Sequence, residues 1–166
     1  MDGSHLHDVT LSDITMDGIT VPINIRLGAR LKTFRPGDGK KPVGALRNVT
    51  IKNVRATDAG QIGILISGIP GHRVENLSFE NIAVQLAGGG KSEDAQKQLP
   101  EKEDAYPEIR MFGSAMPAYG IYARHIRGVS FKNVETTVKN SDARPEKIFI
   151  DVEGVTPAGF APATTR

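Results

Sequence analysis

Four stretches of this chain are versions of one text: LHDVTLSDI at 6–14, LRNVTIKNV at 46–54, VENLSFENI at 74–82 and IRGVSFKNV at 126–134. Aligned on Leu6, Leu46, Val74 and Ile126, they carry Val9, Val49, Leu77 and Val129 at the fourth place and Leu11, Ile51, Phe79 and Phe131 at the sixth. The fifth place holds Thr10, Thr50, Ser78 and Ser130, and the ninth Ile14, Val54, Ile82 and Val134. Such a repeat constrains the fold more than any local propensity, because each unit must bury its apolar side against the next. The fourth and sixth places share one face of a strand. The step from sixth to ninth is odd, so a bend falls between them, at the eighth place: Asp13, Asn53, Asn81 and Asn133. Asn tolerates left-handed backbone, and stacked Asn side chains can form a ladder of amide hydrogen bonds. Asp13 is expected to make the poorer rung.

A second β-rich element lies between the copies: VPINIRL at 21–27, IGILIS at 62–67, YGIYARH at 119–125 and KIFIDVEG at 147–154. The first elements are 40, 28 and 52 residues apart. Without the long connections 28–45 and 86–117, a coil of roughly 22–30 residues remains, a solenoid period. Apolar and polar residues alternate and no helical period appears. The chain therefore reads as all-β: a right-handed parallel β-helix of about four coils with long inter-coil loops, one domain over 1–156. The Pro/Ala/Thr-rich tail 157–166 is expected to be extended or disordered. A β-sandwich with coincidentally similar strands is the alternative, but parallel stacking explains the repeat and a sandwich does not.

The insertions are where a solenoid keeps its function. Residues 28–45 form a Gly/Pro-rich loop with Arg30, Lys32, Arg35, Lys40 and Lys41 against one acid, Asp38; it suits either an acidic polymer or solvent. In 86–117, Gly88-Gly89-Gly90 lacks the Lys-Ser/Thr that a phosphate loop needs. Ser92 is expected to cap a short helix through Gln98, stopped by Pro100. Tyr106, Pro107, Met111, Phe112 and Met116 are expected to lie back on the solenoid. Glu101, Glu103, Asp104 and Glu108 read as a solvated acidic surface.

Composition closes several routes. The net charge is only +2, so nucleic acid is not an expected partner. No apolar run approaches the length of a membrane span, and MDGSHLHD lacks a signal-peptide core. There are no cysteines, so disulfides and thiolate metal sites are excluded. His5 and His7 share a strand face, but two histidines without a third ligand do not make a metal site. No cofactor or metal is expected.

The repeat NVTIKNV, the segment SGIPGHRVENLSFENI, the triple glycine and YPEIRMFGSAMPAYGIYARHIRGVSFKNV together resemble glycoside hydrolase family 28, the polygalacturonases, in the bacterial branch. The resemblance runs from about Gly3 to Gly154 but covers only the C-terminal part of the family's domain. It implies a right-handed parallel β-helix, α-linked galacturonic acid chains as substrate, and secretion or a periplasmic location; the compartment stays open in the chain itself. Family chemistry pairs carboxyl groups in an inverting hydrolysis. Its motifs, Asn-Thr-Asp, Asp-Asp, Gly-His-Gly and Arg-Ile-Lys, do not occur in these residues. Gly71-His72-Arg73 falls two coils too late and reads as a turn. No catalytic residue is therefore assigned, Asp8, Asp13, Asp17, Asp58, Asp104 and Asp151 being scattered.

For substrate binding, Arg26, Arg30 and Lys32 lie on or after the strand that would continue the family's cleft, and Arg124 and His125, with Arg127 nearby, can meet a carboxylate. The alternative is a set of outward-facing solubilising charges. Tyr106, Tyr119 and Tyr122 can stack on sugar rings, although packing suits the last two better. Three functional readings follow: a truncated polygalacturonase-like protein, inactive alone; a non-catalytic module binding acidic polysaccharide; and an oligomeric structural β-helix. The third rests on an apolar end at residues 5–25, which invites a homo-oligomer.

Overall fold

The computed structural model describes residues 3–157. The chain is all-β, with its parallel strands curled into a half-barrel. The strands are β1 (His5–Asp17), β2 (Ile23–Arg26), β3 (Ala45–Ala59), β4 (Ile64–Ser67), β5 (Val74–Gly88), β6 (Ile121–Asn140) and β7 (Lys147–Thr156). They form two continuous columns. One runs β1-β3-β5 to the C-terminal half of β6; the other runs β2-β4 to the N-terminal half of β6; β7 caps both.

The register is that of the repeat. Val9, Val49, Leu77 and Val129 are partners on successive strands, as are Leu11, Ile51, Phe79 and Phe131. A parallel sheet must bring like places together in this way, because a one-residue slip would turn every apolar side chain outward. Inside, Phe79 and Phe131 stack with ring centroids 5.2 Å apart, and Phe149 meets Phe131 edge-on. Each such buried ring or aliphatic chain contributes about 1.5–3 kcal/mol.

The bends explain the odd spacing. Asp13, Asn53, Asn81 and Asn133 all have φ between 53° and 60°. Their side chains form the expected ladder: Nδ2 of Asn53 donates to Oδ1 of Asp13 at 2.9 Å, Asn81 to Asn53 at 3.0 Å, and Asn133 to Asn81 at 3.0 Å. Asp13 is no weak rung. Every donor in the column points toward the preceding strand, so the first position needs only an acceptor. A second ladder escaped the sequence reading: Asn48 donates to Asp8 at 2.8 Å and Asn76 to Asn48 at 3.0 Å. These third-place residues also sit at positive φ, and Gly128 and Gly154 continue them without a side chain. A fifth rung was missed as well. Val152 and Val155 of β7 pair with Ile126 and Val129, so VEGVT is a further copy of the repeat. The first column thus has five rungs and the second four. The tail from residue 158 onward lies outside the described residues.

Two corrections concern the insertion at 86–117. Its helix, α1, spans only Ser92–Ala95, with Lys91 as N-cap in place of Ser92. Asp94 accepts from the Lys91 backbone at 3.0 Å and pairs with Lys97, which uses up the first turn and leaves no continuation to Gln98. Phe112 and Met116 pack under the second column with Val21, Ile62, Leu65 and Tyr122, as expected, but Tyr106 is exposed. β4 is therefore buried on both faces. At the other end, β1 is an open edge with Leu6 and Leu11 about half exposed, at 53% and 47%. Val21, Ile23 and Ile25 are buried, so the uncovered apolar end is shorter than residues 5–25.

Candidate functional site

One outward column breaks the rule of like on like. Arg26 of β2, Ser67 of β4 and Arg124 of β6 stand on neighbouring strands in register, followed by Ile150 of β7. Ser67 Oγ accepts from Arg26 Nη1 at 2.6 Å and from Arg124 Nε at 3.0 Å. The two guanidinium groups then reach the 86–117 insertion. Arg124 donates to the carbonyls of Leu99, Pro100 and Glu101 at 3.1, 2.9 and 3.2 Å. Arg26 donates to the carbonyls of Gly68, Glu101 and Lys102 at 3.0, 3.0 and 2.9 Å. Both lie over the Phe112 ring. Burial, followed by the charge of Arg124, pushes Arg26 down to about 10. Arg124 is only 2% exposed, so it is neither a free surface cation nor a solubilising charge.

His125 follows at the corner between the two halves of β6, with φ 53°. Its Nδ1 lies 2.7 Å from Asp151 Oδ2 and its Nε2 3.1 Å from Glu101 Oε2. Asp151 is also paired with Arg73, which reaches Glu153 too. The hydrogen bond from His125, then that from Arg73, holds the Asp151 carboxyl below its ordinary value. Glu101 meets Arg124 Nη1 at 3.4 Å. Glu101 is thus not part of a merely solvated acidic surface. Arg127 faces Glu75 and Glu153 farther out.

Arg30 and Lys32 lie elsewhere, in the basic loop. With Ser4, Thr33, Phe34, Asp38, Gly39 and Lys41 they line a cleft of about 620 Å³. Arg30 sits over the Tyr106 ring at 5.1 Å, and its buried Nε has no hydrogen-bond partner. Phe34 is 91% exposed beside the cleft. The loop and the insertion meet where Ala29 N–H donates to Glu103 O at 2.6 Å. Tyr122 is buried in the second apolar cluster, which fits packing.

The five sequence-derived residues therefore fall into two groups: Arg26, Arg124 and His125 around Glu101, and Arg30 with Lys32 in the cleft. Reading the residues missed the roles of Ser67, Glu101 and Asp151. Ser67 was recoverable by setting IGILIS between VPINIRL and YGIYARH in register. Asp142 and Arg144 were missed entirely. This buried pair, 2.8 Å apart, fastens both ends of the insertion: Asp142 accepts from Gly90 N–H at 3.0 Å, and Arg144 donates to Met116 O at 3.1 Å and Gln61 O at 2.9 Å. A Cβ on Gly90 would lie 2.0 Å from Arg144 Nε, so only glycine fits there.

Among the described residues, no group of three or more metal-ligating side chains converges. His7 Nδ1 lies 2.6 Å from Asp8 Oδ2 on the exposed β1 edge. Compared with known protein families, curated proteins and solved structures, the chain matches none.

Proposed function

We propose that this chain is a polygalacturonase-like, right-handed parallel β-helix that binds an acidic polysaccharide of the galacturonate type without cleaving it. The cleft carries the reading: Arg30, Lys32 and Lys41 face it with a single acid, Asp38, and Phe34 is presented at its side. Cations spaced along a groove suit a chain bearing one carboxylate per sugar, and an exposed ring suits the apolar face of a sugar. The in-register strands and amide ladders support the β-helix. The absence of the Asp-Asp and Gly-His-Gly motifs from these residues supports binding without hydrolysis.

The test is binding of polygalacturonate at low ionic strength, with reducing ends assayed on the same sample. Binding weakened by salt and by the Lys32→Glu/Lys41→Glu double variant, with no reducing ends released, is the expected result. No binding at low salt, or steady release of reducing ends, overturns it.

A second reading, an oligomer assembled through β1, is favoured by the exposure of Leu6, Leu11 and Ile19. Light scattering that finds a monomer at all concentrations, unchanged by Leu11→Lys, rejects that reading.

A further inference from the structure

Arg124 and His125 already hold a carboxylate, and it is the protein's own. Glu101 presents Oε1 to Arg124 Nη1 at 3.4 Å and Oε2 to His125 Nε2 at 3.1 Å. The two donors come from adjacent residues of β6, whose backbone is pinned by strands on both sides. They are nearly buried, at 2% and 10% side-chain exposure, whereas the Glu101 side chain is 38% exposed. A rigid, dehydrated pair of donors thus opens to solvent through the one carboxylate that occupies it.

We propose that the Arg124–His125 pair is a binding site for the carboxylate of a sugar acid, and that Glu101 fills it as an internal competitor until the ligand arrives. The inference deepens the acidic-polysaccharide reading and takes its ligand class from it.

The exchange is local. The backbone under Glu101 stays fastened, because its carbonyl accepts from both Arg26 and Arg124 and the neighbouring carbonyls of Leu99, Pro100 and Lys102 are held too. Only a side chain has to turn out. Charge is conserved, since one carboxylate replaces another on the same partners. The other acid at His125, Asp151, is committed to Arg73 on the far ring nitrogen. The surroundings favour an anion: Arg26 and Arg124 share Ser67 as a hydrogen-bond acceptor, and the pKa of Arg26 is depressed by burial and by its neighbour. A tethered competitor acts at an effective concentration on the order of millimolar or above. If Glu101 occupies the pair about nine-tenths of the time, the ligand's apparent affinity falls about tenfold.

The experiment titrates galacturonic acid, too small to span the cleft, into the wild-type protein and the Glu101→Ala variant, followed by amide chemical shifts around residues 121–127. Galactose serves as the neutral control. Binding about tenfold tighter in Glu101→Ala, and lost again when His125→Asn is added, is the expected result. An equal gain for galactose, or no gain in a folded Glu101→Ala protein, overturns the proposal. His125→Asn avoids disturbing Arg124, whose loss threatens folding. If polygalacturonate still binds through Lys32 and Lys41 while Glu101→Ala gains nothing, the cleft reading stands and this one falls. A galacturonate gain without any polymer binding leaves this site standing and removes the cleft.

Discussion

The outward columns of the stack are of two kinds. Those at the bends repeat one chemistry, as in Asp13–Asn53–Asn81–Asn133, and each side chain is satisfied by the rung beside it. The column Arg26–Ser67–Arg124–Ile150 changes at every step, and its arginines donate to carbonyls of an insertion more than 70 residues downstream of Arg26 or about 25 upstream of Arg124. A column that repeats stabilises the parallel sheet itself. A column that does not repeat grips something else, and here it brings a buried cation pair and a histidine to the surface beneath Glu101. Departure from periodicity thus marks the candidate site in a chain whose repeat builds its sheet.

Four variants test this contrast. The largest effect is expected at Asp142, whose loss leaves Arg144 buried without its counter-ion. Asp142→Asn should cost about 4 kcal/mol in urea unfolding. The same pair sets an acid limit. Arg144 holds the Asp142 carboxyl down to about 2, against an ordinary 3.8. A depressed carboxylate gives stability that is full above its unfolded value and is lost as pH falls through the folded one. Wild type should therefore lose on the order of 2 kcal/mol from this group between about pH 4 and pH 2, a slope absent in Asp142→Asn.

Arg124→Met comes next, at about 3 kcal/mol, since it strands buried carbonyls and Ser67. Its signature should be local, with limited proteolysis opening residues 96–106 before the strands. Asn81→Ala should cost about 2 kcal/mol, from two amide bonds and a left-handed backbone that alanine tolerates poorly. Here the loss should be global, with the insertion no more sensitive to protease than in wild type. Gly128→Asn should stay within about 0.5 kcal/mol of wild type, because Asn tolerates positive φ and can extend the column above Asn76. If Arg124→Met lowers global stability without opening the insertion, or Asn81→Ala opens it, the division into stacking and gripping columns fails.

Most of the stacking half was legible in the sequence. Apolar identity at the fourth, sixth and ninth places had to persist because each side chain meets its own kind one strand away. The third-place bend was equally visible in Asp8, Asn48, Asn76 and Gly128 within the same four copies, whereas VEGVT, the fifth rung, overlapped the second element KIFIDVEG. The gripping half was hidden for a physical reason. Arg26 and Arg124 bind largely to backbone carbonyls, which every residue carries, so no pattern of side chains announces their partners. Glu101 sat among four acids in a loop, and only folding singled it out. The helix was overestimated because Asp94 is spent on capping and on Lys97 within a single turn.

The polarity of the amide ladders has a consequence for how molecules behave in a crowded solution. Both ladders run toward β1 and end there on acids, with Asp17, which accepts from Thr57, as a third. Hydrogen bonds from Asn48 and Asn53 hold Asp8 and Asp13 below their ordinary values. A bare parallel strand would otherwise template the addition of further chains. Two molecules that meet β1 to β1 bring Asp8, Asp13 and Asp17 against their own kind, so like charges oppose the contact that the exposed Leu6 and Leu11 invite, and acid, by neutralising the carboxylates, favours it.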